Sequence, residues 1–284
     1  MSTPSIGSTF RSERMLTMAH LEELRSSRPE QAQAIECKRA LEAMIIHVLE
    51  GAVPGSLRLG ENLALAIASW QEQGNDRRHP EEVRLLAPGA CRKRQLDWTV
   101  GRAAARLALQ QLGLEDPPPV LRGDGGEPLW PAGISGSITH CDRWSIAVSA
   151  KCADSLAIGI DLESLERVRE ADIIHLICRE PEIEWVSSDD DFHGRLGMVF
   201  SAKEALYKSL YPFCRRYIDF TEVELSWLPE QSRFHAKLLS ASDASSLPLH
   251  PSEISCGRHK HLIFSCSVCE TKGDRLTGRS AGFS

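Results

Sequence analysis

The stretch "AIGIDLES" (157–164) sets two carboxylates at alternate positions of a candidate strand. Alternate strand residues share a face, so Asp161 and Glu163 point one way and Ile158, Ile160 and Leu162 the other. Roughly 6.7 Å separates such Cα atoms, near enough for both side chains to reach one hard divalent ion. Without a cation the two carboxylates repel unless solvent screens them. Alone, the stretch reads first as a half-exposed strand with a solvated acidic face.

About forty residues on, "FSAKEALYK" (200–208) crowds Lys203, Glu204 and Lys208 into little more than two helical turns. Ser201 and Glu204 have the spacing of a capping box, and Glu204 and Lys208 that of an ion pair. This predicts a helix start at Ser201. The helix dipole would there keep Glu204 ionised, a good metal ligand and a weaker general base. Alone, cap and ion pair account for the stretch.

Two further stretches carry chemistry. "ISGSITHCDRWSIAVSA" (134–150) places Ser135, Gly136, Ser137, Thr139 and His140 before a turn and a strand. Backbone N–H groups, hydroxyls and an imidazole suit a phosphate, although a turn rich in Ser and Gly needs no ligand. Residues 91–106 hold Arg92, Lys93, Arg94, Arg102 and Arg106 against Asp97. Arg102 and Arg106 share a helical face, either solvated or facing an anion.

These stretches need elements to position them. "CRKRQLDWTVGRAAARLALQQLG" has helical spacing and closes on Gly113. "WSIAVSA" and "LAIGIDLES" read as strands, whereas "LALAIASWQEQ" fits a buried strand or a short helix equally. "AVPGSLRLGEN" reads as a loop, and residues 165–178 as helical. "GRLGMVFSAKEALYKSLYP" is a helix stopped at Pro212. Strands follow at "DFTEVELSW", "RFHAKLLS" and "HLIFSCSVC". Residues 19–50 carry helical signals, and the tail from Lys272 is polar.

Composition sets the bounds. A chain of 284 residues suggests one large domain or two modest ones. With 42% apolar and 25% charged residues it resembles a soluble globular protein. A net charge of -6 argues against a general nucleic-acid binder. No run of 18 apolar residues predicts a membrane span, and the N-terminus lacks a secretory core, so a cytoplasmic protein is expected. The nine cysteines are scattered. Cys266 and Cys269, with His259 and His261 nearby, make a zinc site conceivable, but "LIFSCSVC" reads first as a buried strand.

In combination and in this order, "GIDLE", "FSAKEALYK" and "SITHCDRWSIAVSA" resemble the motifs of 4'-phosphopantetheinyl transferases. "HPEEVRLLAPGACRKRQLDWTVGRAAARLAL" is similar to the N-terminal half of the surfactin-type and enterobactin synthase component D-like branch. The likeness covers roughly residues 57–270 and leaves residues 1–50 outside.

The resemblance implies an α+β fold, a pseudo-symmetric two-half monomer with the active site between the halves. An extension over 1–54 would precede an N-terminal half at 55–155, a C-terminal half at 156–271 and a tail at 272–284. It implies transfer of the phosphopantetheine arm of coenzyme A to a serine of an apo carrier protein. Adenosine 3',5'-bisphosphate leaves, in siderophore, nonribosomal peptide, polyketide or fatty-acid synthesis. Neither nucleic acid nor membrane is an expected partner.

Residue by residue, Asp161, Glu163 and Glu204 match the family's Mg²⁺ carboxylates, with Mn²⁺ as an alternative ion. Lys208 matches the lysine near the pyrophosphate, with Lys203 beside it, and Glu204 and Lys208 are the catalytic candidates. Thr139 and His140 match the motif that contacts the 3'-phosphate, with Thr139 where many relatives have Ser. Arg106, Arg102 and Arg94 match the coenzyme A pocket, and Glu182 a glutamate between the two signature motifs. The alternative is an inactive module that binds coenzyme A or a carrier protein.

Overall fold

The computed structural model describes residues 55–59, 62–72, 78–151, 156–166, 173–239 and 253–270. The helical signals of residues 19–50, the extension 1–54 and the tail from Lys272 lie outside them.

Strands β1 (Gly55–Leu59), β2 (Leu63–Ser69), β5 (Ile134–Cys141) and β6 (Trp144–Lys151) form one antiparallel sheet in the order β1-β2-β6-β5. Short helix α1 (Pro80–Arg84), long helix α2 (Arg92–Gln111) and the hairpin β3 (Leu121–Arg122) and β4 (Pro128–Leu129) lie between β2 and β5 in the chain. The second sheet runs β7-β11-β10-β9-β8 and is also antiparallel. It is built from β7 (Leu156–Ser164), β8 (Val223–Leu228), β9 (Arg233–Leu238), β10 (Glu253–His259) and β11 (Leu262–Glu270). Helices α3 (Ile174–Ile177), α4 (Glu180–Ser187) and α5 (Phe192–Cys214) fall between β7 and β8.

The layers follow from strand alternation. Ala66, Ala68 and Ala147 face α2, where Ala104, Ala105 and Ala108 let the helix lie close to the sheet. Leu65, Ile67 and Val148 face the other way and share a core with Ile158, Ile160 and Phe264 of the second sheet. The far side of that sheet is covered by α5, through Val199, Ala202 and Leu206. The order is therefore helix, sheet, sheet, helix. Each fully buried Leu, Ile or Val contributes about 1.5–3 kcal/mol, so the two long helices are held mainly by their apolar faces.

The two sheets meet edge to edge at β5 and β7, joined by side chains. The N–H groups of Ile158, Ile160 and Leu162 donate to the hydroxyls of Ser135 (3.3 Å), Ser137 (3.1 Å) and Thr139 (3.0 Å). Buried edge donors must find acceptors, and three alternate hydroxyls supply them. The small hydroxylated residues of "ISGSITH" are thus the seam between the sheets.

Several elements differ from the sequence expectation. The stretch "LALAIAS" is strand β2, buried at every position, which is why its pattern alone leaves the type open. "GSLRL" and the Ser- and Gly-rich "ISGSITHC" are strands rather than a loop and a turn, and β10 is a further strand beyond those expected. Of the described residues in 165–178, only Ile174–Ile177 is α-helical. Helix α5 begins at Phe192, two residues before the helix read from Gly194 and a full nine before the capping signature at Ser201, and it passes through Pro212 to Cys214. Pro212 removes the bond to the Lys208 carbonyl but sits so near the helix end that the last turn survives.

Candidate active site

Gly159 explains how the two signature stretches come together. A Cβ there would lie 1.9 Å from the Ala205 carbonyl oxygen and 2.7 Å from the Ser209 amide. Without a side chain, β7 presses directly against the backbone of α5. The strand then carries Asp161, and the helix Glu204 and Lys208, to one place.

Asp161 is 3% exposed. Its Oδ1 accepts from Lys208 Nζ at 2.7 Å and from the Thr139 hydroxyl at 3.2 Å. Its Oδ2 is buried and has no hydrogen-bond partner among the described residues. Lys208 Nζ also donates to the Ile160 carbonyl at 3.1 Å, and its side chain is 26% exposed. Burial opposes the Lys208 charge, but Asp161, Glu204 and Glu163 together hold its pKa above the ordinary lysine value. Glu204 lies one turn before Lys208. Burial raises its pKa, Lys208 opposes the shift, and the charge of Asp161 adds to it.

This corrects the expectation for Glu204. In mid-helix it forms no capping box, and Ser201 is fully buried with its hydroxyl unpartnered. No dipole-stabilised first turn lowers its pKa. The carboxyl is pushed towards neutrality instead, which improves it as a proton acceptor.

The residues fit a divalent cation in one respect and depart from expectation in another. A buried carboxylate oxygen without a partner, with Glu163 and Glu204 acting on the same lysine, is a donor set for a hard cation. Among the described residues, however, no three His, Cys, Asp or Glu side chains converge on one metal position. The carboxylates gather about Lys208. Mg²⁺ commonly takes only one or two protein carboxylates and fills the remaining positions with water and phosphate oxygens.

Beside this centre a cleft of about 640 Å³ runs between α2 and α5. Lys208 and Tyr207 line it on one side, Arg94, Trp98 and Arg102 on another, and His140 between them. Arg102 is 6% exposed, stacks 4.0 Å over the Trp98 ring and leaves its buried Nε without a partner among the described residues. Burial pulls its pKa down to about 10, so it stays charged at neutral pH. A buried, incompletely paired guanidinium at a cleft wall is an anion site. His140 Nε2 lies 3.7 Å from Asp97, which also pairs with Lys93 at 2.7 Å. Burial holds the His140 pKa below its usual value; Asp97 opposes this, and Lys208, Lys93 and Arg94 reinforce it. The imidazole is therefore neutral at pH 7.

Other sequence candidates lie apart from the cleft wall. Arg106 pairs with buried Glu82, whose other oxygen accepts from the Val120 amide at 2.9 Å. Lys203 is 2% exposed and pairs with Glu182 at 2.7 Å. Thr139 is also buried, its hydroxyl engaged with Leu162 and Asp161. The structure thus places these three, expected around coenzyme A, in internal bonds. Burying Arg106 or Lys203 demands an internal acid, and each found one. Cys266 and Cys269 face opposite cores of the second sheet, which excludes a shared zinc ion.

Sequence reasoning passed over Trp98, Tyr207 and Tyr211 in the cleft, and Glu82, which orients Arg106. Asp97 was visible as the lone acid of a basic helix. The aromatics carry no such signal, because an aromatic at helical spacing reads as core.

Two family models match the chain: the 4'-phosphopantetheinyl transferase N-terminal domain over residues 81–150, and the 4'-phosphopantetheinyl transferase superfamily over 157–259. The chain is 35% identical over 168 residues to the 4'-phosphopantetheinyl transferase Npt of Nocardia iowensis, covering 57% of this chain and 74% of that protein. It is 32% identical over 163 residues to PptT of Mycobacterium tuberculosis, covering 57% and 70%. Enterobactin synthase component D of Escherichia coli K12 is 34% identical over 122 residues, covering 42% and 56%. By these models and relatives, the chain belongs to the 4'-phosphopantetheinyl transferase superfamily.

Proposed function

We propose that this chain moves the 4'-phosphopantetheine arm of coenzyme A to a serine hydroxyl of an apo carrier protein, releasing adenosine 3',5'-bisphosphate. The observation that supports it is Asp161, held by Lys208 with one buried oxygen unpartnered, at the edge of a cleft carrying Arg102. The cleft joins a cationic wall to an apolar one with Trp130 and Tyr211, as a phosphorylated, partly apolar substrate requires.

Asp161 Oδ2 would hold Mg²⁺, with Glu163 and Glu204 as further donors. When bound, the ion neutralises and polarises the pyrophosphate. Arg102 and Arg94 bind the anionic end of coenzyme A, and neutral His140 donates to a phosphate oxygen. Glu204, one turn before Lys208, takes the proton of the carrier serine. The serine oxygen forms a bond to the phosphorus bearing the pantetheine arm. The bond from that phosphorus to the bridging oxygen breaks, and Lys208 stabilises the charge that leaves with the bisphosphate. The cleft is built from both sheets of one chain, which supports a monomeric enzyme, read here as cytoplasmic. The partner carriers are those of siderophore and nonribosomal peptide synthesis.

The test is transfer from a fluorescent coenzyme A analogue to a purified apo carrier domain, with and without Mg²⁺. Covalent label that requires Mg²⁺ is the expected outcome. Binding of coenzyme A or the carrier without label would assign the chain as a binding module instead.

A further inference from the structure

The β5–β7 seam has three rungs, and the third differs from the others. Ser135, Ser137 and Thr139 each accept one N–H from β7. Among the described residues, Thr139 is the one of the three whose hydroxyl also meets a carboxylate, Asp161 Oδ1 at 3.2 Å. A hydroxyl has a single proton. Because its lone pair takes the Leu162 N–H, that proton goes to Asp161.

Asp161 Oδ1 therefore receives two donors from opposite elements, the Thr139 hydroxyl of β5 and the Lys208 ammonium of α5. Both Thr139 and Asp161 are almost wholly buried, at 2% and 3% exposed. The two hydrogen bonds to Oδ1 fix the rotation of the carboxylate and leave Oδ2 as the oxygen without a partner among the described residues.

We propose that Thr139 is a positioning residue. Its hydroxyl dictates which Asp161 oxygen is presented to the divalent cation, and it makes no contact with coenzyme A. This rests on the Mg²⁺ reading above. It also accounts for a hydroxyl at this position: Ser or Thr can both accept from β7 and donate to the aspartate, whereas no apolar residue of similar size can.

The experiment is Mn²⁺ binding to the full chain, followed by electron paramagnetic resonance without coenzyme A or carrier, on wild type, Thr139→Val, Thr139→Ser and Ser137→Ala. Outer-shell partners of ligating carboxylates are typically worth about 10- to 100-fold in metal affinity. Thr139→Val is expected to weaken Mn²⁺ binding by that factor, with coenzyme A affinity measured without metal unchanged. Thr139→Ser retains both. Ser137→Ala leaves a comparable buried N–H unpaired, so it lowers the melting temperature while leaving Mn²⁺ affinity unchanged. If Thr139→Val does not fold, Thr139→Ala, which leaves room for a water beneath Leu162, takes its place. Wild-type Mn²⁺ affinity in the apolar variant, or a loss confined to coenzyme A binding, would overturn the proposal alone. Absence of Mn²⁺ binding by the wild type would overturn the metal reading and the proposal together.

Discussion

Lys203 and Lys208 stand five residues apart on α5, and each meets an acid from another element. Their surroundings differ. Lys203 Nζ donates to Glu182 at 2.7 Å and to the carbonyls of Ile177, Phe220 and Val223 at 2.8, 2.9 and 2.9 Å. Glu182 is equally engaged, by the amides of Arg179 and Leu225 at 2.7 Å each. Both side chains are 1% exposed, and their hydrogen-bonding groups are filled from within. Around Lys208 the same chemistry is left incomplete. Asp161 keeps a buried oxygen without a partner, the lysine is partly exposed to a cleft, and two more carboxylates act on it. A saturated buried ion pair ties elements together, whereas an unsaturated one is poised for a ligand.

The contrast is sharpest in the lysines themselves. Lys203→Met strands the Glu182 charge in the core, so a loss of about 3–5 kcal/mol is expected in urea unfolding, enough to threaten the fold. Lys208→Met also removes the cation paired with buried Asp161, but the Thr139 hydroxyl still donates to it and the lysine faces the cleft, so a smaller stability loss is expected, with holo-carrier formation lowered by about 10²- to 10³-fold, the usual scale for one lost transition-state donor. If both variants lost stability equally, the distinction between the two pairs would collapse.

Glu204→Gln comes next. Turnover should fall by about 10²-fold or more, read as carrier labelling. Its stability should move the other way. The folded-state pKa of Glu204 is raised above its ordinary value of 4.5, so the folded chain binds its proton more tightly than the unfolded chain does. Stability contributed by that proton is present at low pH and is lost as pH rises through the raised value. Glu204→Gln should therefore melt no lower than wild type at pH 7, and this relative advantage should shrink as pH falls through the raised value and be gone below about 4.5. A variant markedly less stable at pH 7 would place Glu204 among the structural acids, beside Glu182.

Gly159→Ala tests the contact that brings the two halves of the site together. Its Cβ would collide with backbone rather than a mobile side chain, at a cost of about 1–3 kcal/mol. Activity should drop in step, because β7 and α5 would part at Asp161 and Lys208. The smallest effects are expected of the arginine pair on α2. Arg102→Ala should raise the KM for coenzyme A by about tenfold, the scale of one lost charged hydrogen bond, with little change in stability. Arg106→Ala, which leaves Glu82 unpaired, should do the reverse, lowering the urea midpoint while the KM holds.

Much of the fold was legible. The alternation of "WSIAVSA" and "LAIGIDLES" and the helical spacing of residues 92–111 each matched the structure, because those patterns follow from one buried face. Acidic "REPEIEWVSS" gave no helical face strong enough to announce α4, although the Arg179 amide donates to Glu182 at the helix start. The capping signature at Ser201 was misleading for the opposite reason. Ser and Glu three apart are also compatible with a helix interior, and only the eight helical residues upstream of Gly-free "FSAKEALYK" distinguish the two.

By itself, the sequence determined which chemical groups are present, the periodicity that puts Asp161 and Glu163 on one strand face, and the turn that separates Glu204 from Lys208. Tertiary structure decided which of these groups are spent internally. Lys203 finds Glu182 across 21 residues, Arg106 finds Glu82 across 24, and Lys208 finds Asp161 across 47. Local spacing cannot encode such partners. Whether a buried charge is satisfied or left open depends on what the packed layers bring within hydrogen-bond reach, and that is settled only when the two sheets close along the β5–β7 seam.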